Sequence, residues 1–488
     1  MRLVWALCSL TALLPGSPAF AQDAAGRLTR EPYTLSTFDG QHHDAELGSL
    51  TVRENRANAS SPVIKLAFLR VPSTSQKPGA PIVFLMGGPG IPGTVIARVP
   101  DYYRLFEKLR EIADVIIPDQ RGIGLSCPNL DCPDKSAFPP DAWESRDKVV
   151  HAAAARVAAC AALFRRRGVD PAAYTTPASA DDLNDLRAAL KTPRLSLLAF
   201  SYGTELALDF LRRYPEQTER VVLQGLRAPE HGMLPSDQDM WIEQFSRLVA
   251  RDPAVGREMP DMTGDLRRVL IQAECAPFKV DTPGKDGGPA VVTAGKFGLQ
   301  SYLDSTLGDV TAPALLHATA NGDRSLLDLA VRNASDSVSF SLMAVAVNCA
   351  SRWSETRMTL VRREAPGAML GDAKHMMTST EICREVGDPD AGTAFRAPIR
   401  SDVCTLFING TLDPNMLIWQ VEEVRSRFSN SAIVWLENGG HELLAGVEVQ
   451  KLVVQFFGGE NIRSQYLHDA APKFISVADA KTRALRQK

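Results

Sequence analysis

Residues 197–204 read Leu-Leu-Ala-Phe-Ser-Tyr-Gly-Thr, an apolar run that leads into the pattern small-x-Ser-x-Gly. A serine on such a sharp turn between a strand and a helix points out of the sheet, and its neighbours must be small because strand and helix approach closely. Ser201 is therefore the candidate nucleophile, with Gly203 as the small neighbour. The pattern also fits a plain turn, but its position after a buried strand and before a helix favours the nucleophile.

Around this turn, short runs rich in β-branched residues alternate with helix-like stretches. This alternation predicts an α/β fold with a mostly parallel central sheet and helices on both faces. Strands are predicted at residues 64–71, 82–85, 115–117, 195–199, 221–223, 404–408 and 433–436. Helices between them include residues 181–190 and 204–214, each ended by a nearby proline.

The alternation stops between residues 235 and 397. Trp241, Phe245, Leu248 and Val249 fall on one helical face there, and further helices are predicted at 313–320 and 325–331, with a loop at 282–289. Because strands resume at Cys404, this region is predicted to be a large helical cap inserted into the sheet domain. The predicted divisions are a signal peptide (1–21), the sheet domain (22–234 and 398–488) and the cap (235–397).

The amino-terminus is typical of a signal peptide. Arg2 precedes an apolar run over residues 3–14, and Ala19-Phe20-Ala21 forms a small-x-small cleavage site. A membrane anchor is the alternative, but the run is shorter than the roughly 20 residues that a span needs. We expect an exported chain, periplasmic or secreted, with no membrane contact after cleavage. A net charge of -3 gives no reason to expect nucleic acid as a partner.

Seven cysteines remain once Cys8 is removed with the signal peptide, so at least one is expected to be unpaired. Cys404 lies in an apolar, strand-like run and is predicted to be a buried thiol. No CxxC pair or Cys/His spacing typical of a metal site occurs. Neither a metal nor a cofactor is therefore expected.

Residues 82–90 read Ile-Val-Phe-Leu-Met-Gly-Gly-Pro-Gly, a strand that runs into a glycine-rich loop. Acyl transfer needs two preorganised N–H donors for the oxyanion, and glycines present the backbone without a side chain in the way. The N–H groups of Gly88 and Tyr202 are the candidates. A simple tight turn is the alternative; a phosphate-binding loop is disfavoured because no Gly-Lys-Ser/Thr follows.

A third strand, 115–117, runs into Pro-Asp-Gln-Arg-Gly-Ile-Gly-Leu-Ser over residues 118–126. Its glycine spacing indicates a constrained turn at the same edge of the sheet. We assign Asp119 and Arg121 a structural role, in which hydrogen bonds or an ion pair hold this loop.

The acid and the base are expected late in the chain, in the order Ser, Asp, His. Asp413 follows the strand at 404–408, and His441 follows the strand at 433–436 in Glu-Asn-Gly-Gly-His-Glu. His441 would take the proton of Ser201 and pass it to the leaving group, while Asp413 orients the imidazole. A lone loop histidine is usually a surface residue, but a strand, a turn and a partnering Asp loop favour catalysis here.

Together, the GGPG loop, DQRGxGxS, the FSYGT turn, GxxD and GGH resemble the proline iminopeptidase and tripeptidyl aminopeptidase family of serine peptidases. The resemblance covers residues 64–457 and is closest to the secreted tripeptidyl aminopeptidase-like branch. It implies an α/β-hydrolase fold, the triad Ser201, Asp413 and His441, and the oxyanion donors Gly88 and Tyr202. It also implies the disulfides Cys132–Cys160 and Cys349–Cys383, with Cys127 competing for the first.

The resemblance implies an aminopeptidase that acts on peptide amino-termini and holds the free amine with cap carboxylates, for which Glu243 and Glu274 are candidates. Met86 stands where the family usually has His, and Ala199 where it usually has Gly. Both positions are expected beside the nucleophile, so the resemblance does not carry over a substrate preference. A carboxylesterase with the same triad, or a non-catalytic binding protein on the same scaffold, remains an alternative.

Overall fold

A ten-stranded sheet forms the centre of the molecule in the computed structural model, which describes residues 25–283, 289–336, 338–468 and 471–486. The predicted signal peptide lies outside the described residues. The strands of this sheet are β1 Leu28–Ser36, β2 His42–Arg53, β3 Val63–Val71, β4 Ile82–Leu85, β5 Val115–Pro118, β6 Leu195–Phe200, β7 Thr218–Gln224, β10 Cys404–Gly410, β11 Ser431–Glu437 and β12 Gln465–His468. A separate hairpin consists of β8 Phe278–Pro283 and β9 Pro289–Ala294.

The strand order is β1-β2-β3-β5-β4-β6-β7-β10-β11-β12. The first three strands pair antiparallel and the remainder, from β5 to β12, pair parallel. The predicted mostly parallel sheet is confirmed, and each predicted strand lies in it. The sequence analysis missed β1, β2 and β12. β1 and β12 are largely exposed edge strands, so they carry few of the apolar residues that indicate a buried strand.

Helices cover both faces of the sheet and also form the cap. They are α1 Gly93–Ile96, α2 Pro100–Leu109, α3 Arg146–Arg166, α4 Thr176–Ala189, α5 Tyr202–Arg213, α6 Pro235–Arg251, α7 Met262–Cys275, α8 Lys296–Thr306, α9 Ala312–Ala320, α10 Ser325–Asp336, α11 Leu342–Ala350, α12 Glu355–Glu364, α13 Thr380–Glu385, α14 Gly392–Arg396, α15 Ile418–Arg425, α16 Val447–Phe457 and α17 Val477–Arg486. Within the described ranges, none of these helices has the length and apolar character of a membrane span.

Alternate residues of the central strands enter opposite apolar clusters. Leu197 and Ala199 of β6 pack with residues of α4 and α5, whereas Leu198 packs with residues of α2 and α16 on the other face. A strand covered on both faces must be apolar at every position, because successive side chains point to opposite faces. This explains the continuous apolar run that precedes Ser201.

The region between β7 and β10 has two parts that pack differently. Residues 235–336, the outer cap, contain α6–α10 and the β8–β9 hairpin and build an apolar cluster of their own. Residues 338–397, the inner cap, contain α11–α14, and most of their buried side chains join the cluster of the sheet domain. The predicted loop at 282–289 is wrong at its ends, because Thr282, Pro283 and Pro289 belong to the hairpin; residues 284–288 lie outside the described ranges.

Two disulfides join neighbouring segments in this part of the molecule. Cys132 pairs with Cys160 of α3, and Cys349 of α11 pairs with Cys383 of α13, as the family resemblance implies. Cys275 and Cys404 are free. Cys404 is only partly buried, contrary to the prediction, because it begins β10 where the strand enters from the surface.

The carboxy-terminal segment crosses from the sheet to the cap. After β12, Phe474, Ile475 and Ala480 pack into the apolar cluster of the outer cap. The sequence analysis assigned residues 398–488 to the sheet domain, since a change of packing partner leaves no mark in local periodicity. The division of the chain into domains otherwise stays a prediction.

Candidate active site

Ser201 lies on a strained turn between β6 and α5. Its φ is 53° and its ψ is -124°, a backbone conformation that is costly for a residue with a side chain. The Ser201 N–H donates to the backbone oxygen of Gln224 at 3.0 Å. A Cβ placed on Gly203 would lie 2.0 Å from the backbone oxygen of Leu85. Glycine at 203 is therefore required by the close approach of α5 to β4, and the turn projects the serine from the sheet edge.

Ser201, His441 and Asp413 form one hydrogen-bonded chain. His441 Nε2 lies 2.9 Å from Ser201 Oγ, and His441 Nδ1 lies 2.8 Å from Asp413 Oδ2. An ionised Asp413 can only accept, so Nδ1 carries the proton and Nε2 is left to accept from the serine hydroxyl. The structure thus brings together the three predicted residues from the ends of β6, β10 and β11; their catalytic roles stay a prediction.

Asp413 is fully buried and is held by further donors. The Asn415 N–H donates to its Oδ1 at 2.9 Å, and Asn409 Nδ2 donates to its Oδ2 at 3.3 Å. Asn409 in turn accepts the Leu226 N–H at 3.2 Å through its Oδ1. These donors fix the carboxylate in the position from which it contacts His441.

Gln224, at the end of β7, contacts both Ser201 and His441. Its backbone oxygen accepts the Ser201 N–H, and its side-chain Nε2 donates to the backbone oxygen of His441 at 2.7 Å. Gly225 follows, and a Cβ there would lie 3.0 Å from His441 Cε1. The sequence analysis missed this pair. A polar residue followed by glycine at the end of a strand beside the nucleophile strand is the signal that would have found it.

The glycine-rich loop passes directly over the nucleophile. A Cβ on Gly87 would lie 2.6 Å from Ser201 Cβ, and Gly88 follows with a φ of 111° that favours glycine. Tyr202 is the first residue of α5, where backbone N–H groups have no acceptor within the helix. Both predicted donors therefore lie at the nucleophile turn. Their role in binding an oxyanion stays a prediction.

The predicted structural role of Asp119 and Arg121 is confirmed by their contacts. Asp119 is fully buried and accepts from Thr94 N at 2.9 Å, Thr94 Oγ1 at 2.7 Å and Leu125 N at 2.8 Å. Arg121, also fully buried, donates through Nε and Nη2 to the two oxygens of Asp182 at 2.7 Å each. A bidentate pair of this kind fixes the loop in one orientation.

A cavity of about 320 Å³ lies between the outer cap and His441. Its lining is mainly apolar and includes two carboxylates, Asp304 and Asp309. Apolar and aromatic residues of the lining are Met233, Trp241, Ile242, Phe245, Leu307, Leu412 and Pro472. This size and composition are typical of a small-molecule or side-chain pocket with a few polar groups.

The two cap carboxylates suggested from the sequence are elsewhere. Glu243 pairs with Arg267 at 3.2 Å, and Glu274 pairs with Lys296 at 3.0 Å, both on exposed surfaces. The suggestion is wrong because helical periodicity does not show which face of a cap helix meets the sheet. Asp304 instead faces the pocket; it accepts from Gln238 Nε2 at 2.7 Å, and Lys374 Nζ lies 3.8 Å from it.

A model described as the alpha/beta hydrolase fold matches residues 80–263, which include the glycine-rich loop and Ser201. The order of the parallel strands and the triad at their carboxyl ends agree with that match. The chain has the α/β-hydrolase fold. The predicted fold class is thereby confirmed.

Two curated relatives of this chain have names that state an activity. The tripeptidyl aminopeptidase of Streptomyces lividans is 27% identical over 310 residues, which cover 60% of this chain and 56% of that protein. The serine protease Hip1 of Mycobacterium tuberculosis is 28% identical over 188 residues, which cover 37% of this chain and 36% of that protein. The matched parts thus span about half or less of these relatives.

Proposed function

We propose that this protein is an exported serine hydrolase that removes residues or short peptides from peptide amino-termini. The observation that carries the proposal is the hydrogen-bonded chain from Ser201 through His441 to buried Asp413, in which His441 also lines a mainly apolar pocket. The similarity to the Streptomyces lividans tripeptidyl aminopeptidase supports the peptidase assignment. The two disulfides support export, because disulfides persist in oxidising compartments.

In the proposed reaction, Ser201 Oγ attacks the carbonyl carbon of the scissile bond while His441 Nε2 takes the hydroxyl proton. The same proton passes to the leaving amine as the C–N bond breaks, which leaves an acyl group on Ser201. Water, deprotonated by His441, then attacks the acyl carbon; the bond from that carbon to Ser201 Oγ breaks, His441 returns the proton to Oγ, and the acyl group leaves as the acid. Asp413 stabilises the imidazolium formed in both halves of the reaction, and the N–H groups of Gly88 and Tyr202 bind the oxyanion.

Asp304 is the candidate partner for the substrate ammonium group. Its side chain lines the pocket and is 19% exposed, so an ammonium group beside it would be largely removed from water. Burying an ammonium group without a partner costs several kcal/mol. Lys374, at 3.8 Å, already shares this carboxylate, and substrate binding would draw Asp304 away from it.

The nucleophile is tested with a fluorophosphonate probe, which reacts quickly with an activated serine. We expect the wild-type protein to be labelled at Ser201 alone and Ser201→Ala to remain unlabelled. Labelling of Ser201→Ala would place the nucleophile elsewhere. A wild-type protein that resists the probe would favour the non-catalytic binding protein.

The substrate class is tested with one tripeptide amide in free and amino-acetylated form. Acetylation removes the charge that Asp304 would bind, so we expect hydrolysis to fall at least about 100-fold, as for an unpaired buried charge worth about 3 kcal/mol. Asp304→Asn should reduce that ratio, whereas Glu243→Gln, on the exposed face of α6, should leave it unchanged. Equal rates for the two forms would defeat the aminopeptidase assignment.

A carboxylesterase is the second candidate, because the apolar lining of the pocket also suits the acyl chain of an ester. Short-chain esters assayed beside the amides decide between the two. Fast ester hydrolysis with no hydrolysis of the free tripeptide amide would favour the esterase.

A further inference from the structure

The carboxy-terminal segment, residues 471–486, contributes to the active-site pocket. It leaves the sheet after β12 and packs on the outer cap, where Phe474 and Ile475 are 5% and 8% exposed. Pro472 lines the pocket that reaches His441. Part of the cavity lining therefore comes from a segment that follows the triad in the chain and belongs to neither the sheet nor the inserted cap.

Phe474 supports the aromatic wall of the same pocket. Its ring meets that of Phe245 edge-on at 5.3 Å, and Phe245 stacks on Trp241 at 4.9 Å. Trp241 Nε1 donates to the backbone oxygen of Leu412 at 3.2 Å, in the loop that carries Asp413. A continuous series of contacts thus joins the carboxy-terminal segment to the loop that carries Asp413.

The segment is held at its far end as well. Ser476 caps α17 by accepting the Asp479 N–H at 3.1 Å, so the helix begins directly after the pocket residues. Lys481 of α17 then forms an ion pair with Asp323 of the outer cap. Pro472 and Phe474 are therefore held between the end of the sheet and a helix docked on the cap.

We propose that Pro472 is a specificity-determining residue that contacts the substrate side chain filling this pocket, and that Phe474 is a positioning residue for the Phe245–Trp241 wall. Met233, Ile242 and Leu307, which line the same pocket, are apolar. The group accepted there is accordingly a large apolar or aromatic side chain. This inference rests on the proposed hydrolase function, but not on whether the scissile bond is an amide or an ester.

The test compares kcat/KM for substrates with a large apolar side chain and with alanine at the same position. Pro472→Trp puts an indole into the cavity, so we expect the large/alanine ratio to fall at least about 10-fold in a folded protein whose Ser201 still reacts with the fluorophosphonate. Lys473→Trp is the matched control, because Lys473 is exposed and the same indole would point to solvent. An unchanged ratio in Pro472→Trp would overturn the proposal.

The positioning role is tested with Phe474→Leu, with Leu485→Ala, 70% exposed on α17, as control. We expect KM for the large substrate to rise several-fold with little change in kcat, and the labelling rate to stay the same. A lower Tm with an unchanged large/alanine ratio would show that Phe474 is only structural and would refute this part. If amides fail as substrates, the same ratios are measured with esters of graded acyl size. Failure of the peptidase assignment is thereby distinguished from failure of the proposed roles of Pro472 and Phe474.

Discussion

The loops that carry the triad and the outer cap that covers them are held in place by different contacts. In the loops, backbone lies against backbone: a Cβ on Gly203 would lie 2.0 Å from Leu85 O, and one on Gly410 would lie 2.0 Å from Gly439 O. The outer cap instead is held by its own cluster of apolar side chains. The loops tolerate almost no added side-chain atom at these glycines, whereas single apolar side chains of the cap can be replaced by others of similar volume. We infer that the sheet edge determines the reaction and the cap determines the substrate.

The largest expected effect concerns the triad loops. His441→Ala and Asp413→Asn should each lower kcat by about 10⁴-fold, because one removes the base and the other leaves the imidazole in the wrong tautomer. Both variants should keep the wild-type circular dichroism spectrum. Turnover close to wild type in either variant would mean that the base or the acid is another residue. It would also contradict the inference that the sheet edge determines the reaction.

The second prediction concerns the cap alone. Leu266 of α7 is fully buried in the outer cap, so Leu266→Ala should lower the free energy of unfolding by about 2–5 kcal/mol. At 25 °C the folded protein should still react with a fluorophosphonate at the wild-type rate, because no triad contact is touched. Ile271→Ala, on the exposed face of the same helix, should leave the stability within about 0.5 kcal/mol of wild type. Loss of labelling in folded Leu266→Ala would show that the two regions are not independent.

A smaller effect is expected at Gln224, which holds the His441 loop from beneath. Gln224→Met keeps the volume of the side chain but removes the donor to the His441 backbone oxygen, so kcat should fall about 10-fold, or about 1.4 kcal/mol, with little change in KM. Gln450→Met is the control, since that glutamine is also buried but donates to Asp101 O and Leu444 O away from the triad. Equal kcat in the two variants would show that Gln224 does not position His441 for catalysis.

The smallest expected effect lies behind the nucleophile, at Asp209 of α5. Burial raises the pKa of Asp209 to about 6, and within the described residues its Oδ2 has no hydrogen-bond partner. Because the folded-state pKa exceeds the unfolded one, stability is lost as the pH rises from about 4 to 6, and the loss is complete above that range. Asp209→Asn should therefore stabilise the fold by about 1 kcal/mol at pH 8, less at pH 5. Urea unfolding at both pH values tests this; a gain that is the same at both would contradict the titration.

The sequence could predict the sheet and the nucleophile turn because their signals are local. A continuous apolar run followed by small-x-Ser-x-Gly indicates a buried strand and a sharp turn, and the structure has both at Ser201. The sequence analysis did not predict the edge strands β1 and β12, because exposed strands lack a continuous apolar run. Glu243 and Glu274 were chosen wrongly because the cap's orientation on the sheet depends on packing between distant segments.

By itself, then, the sequence determined the α/β architecture and the residues that follow each strand, since a strand buried on both faces must be apolar and the turns after it need glycine. The tertiary structure alone decided that Gln224 meets His441, that Asp304 rather than Glu243 faces the pocket, and that Pro472 forms part of its lining. Gln224 and His441 are 217 positions apart in the chain, and Pro472 precedes residues that pack on the cap instead of the sheet. Local periodicity carries no information about such contacts, because they depend on how finished elements pack against one another.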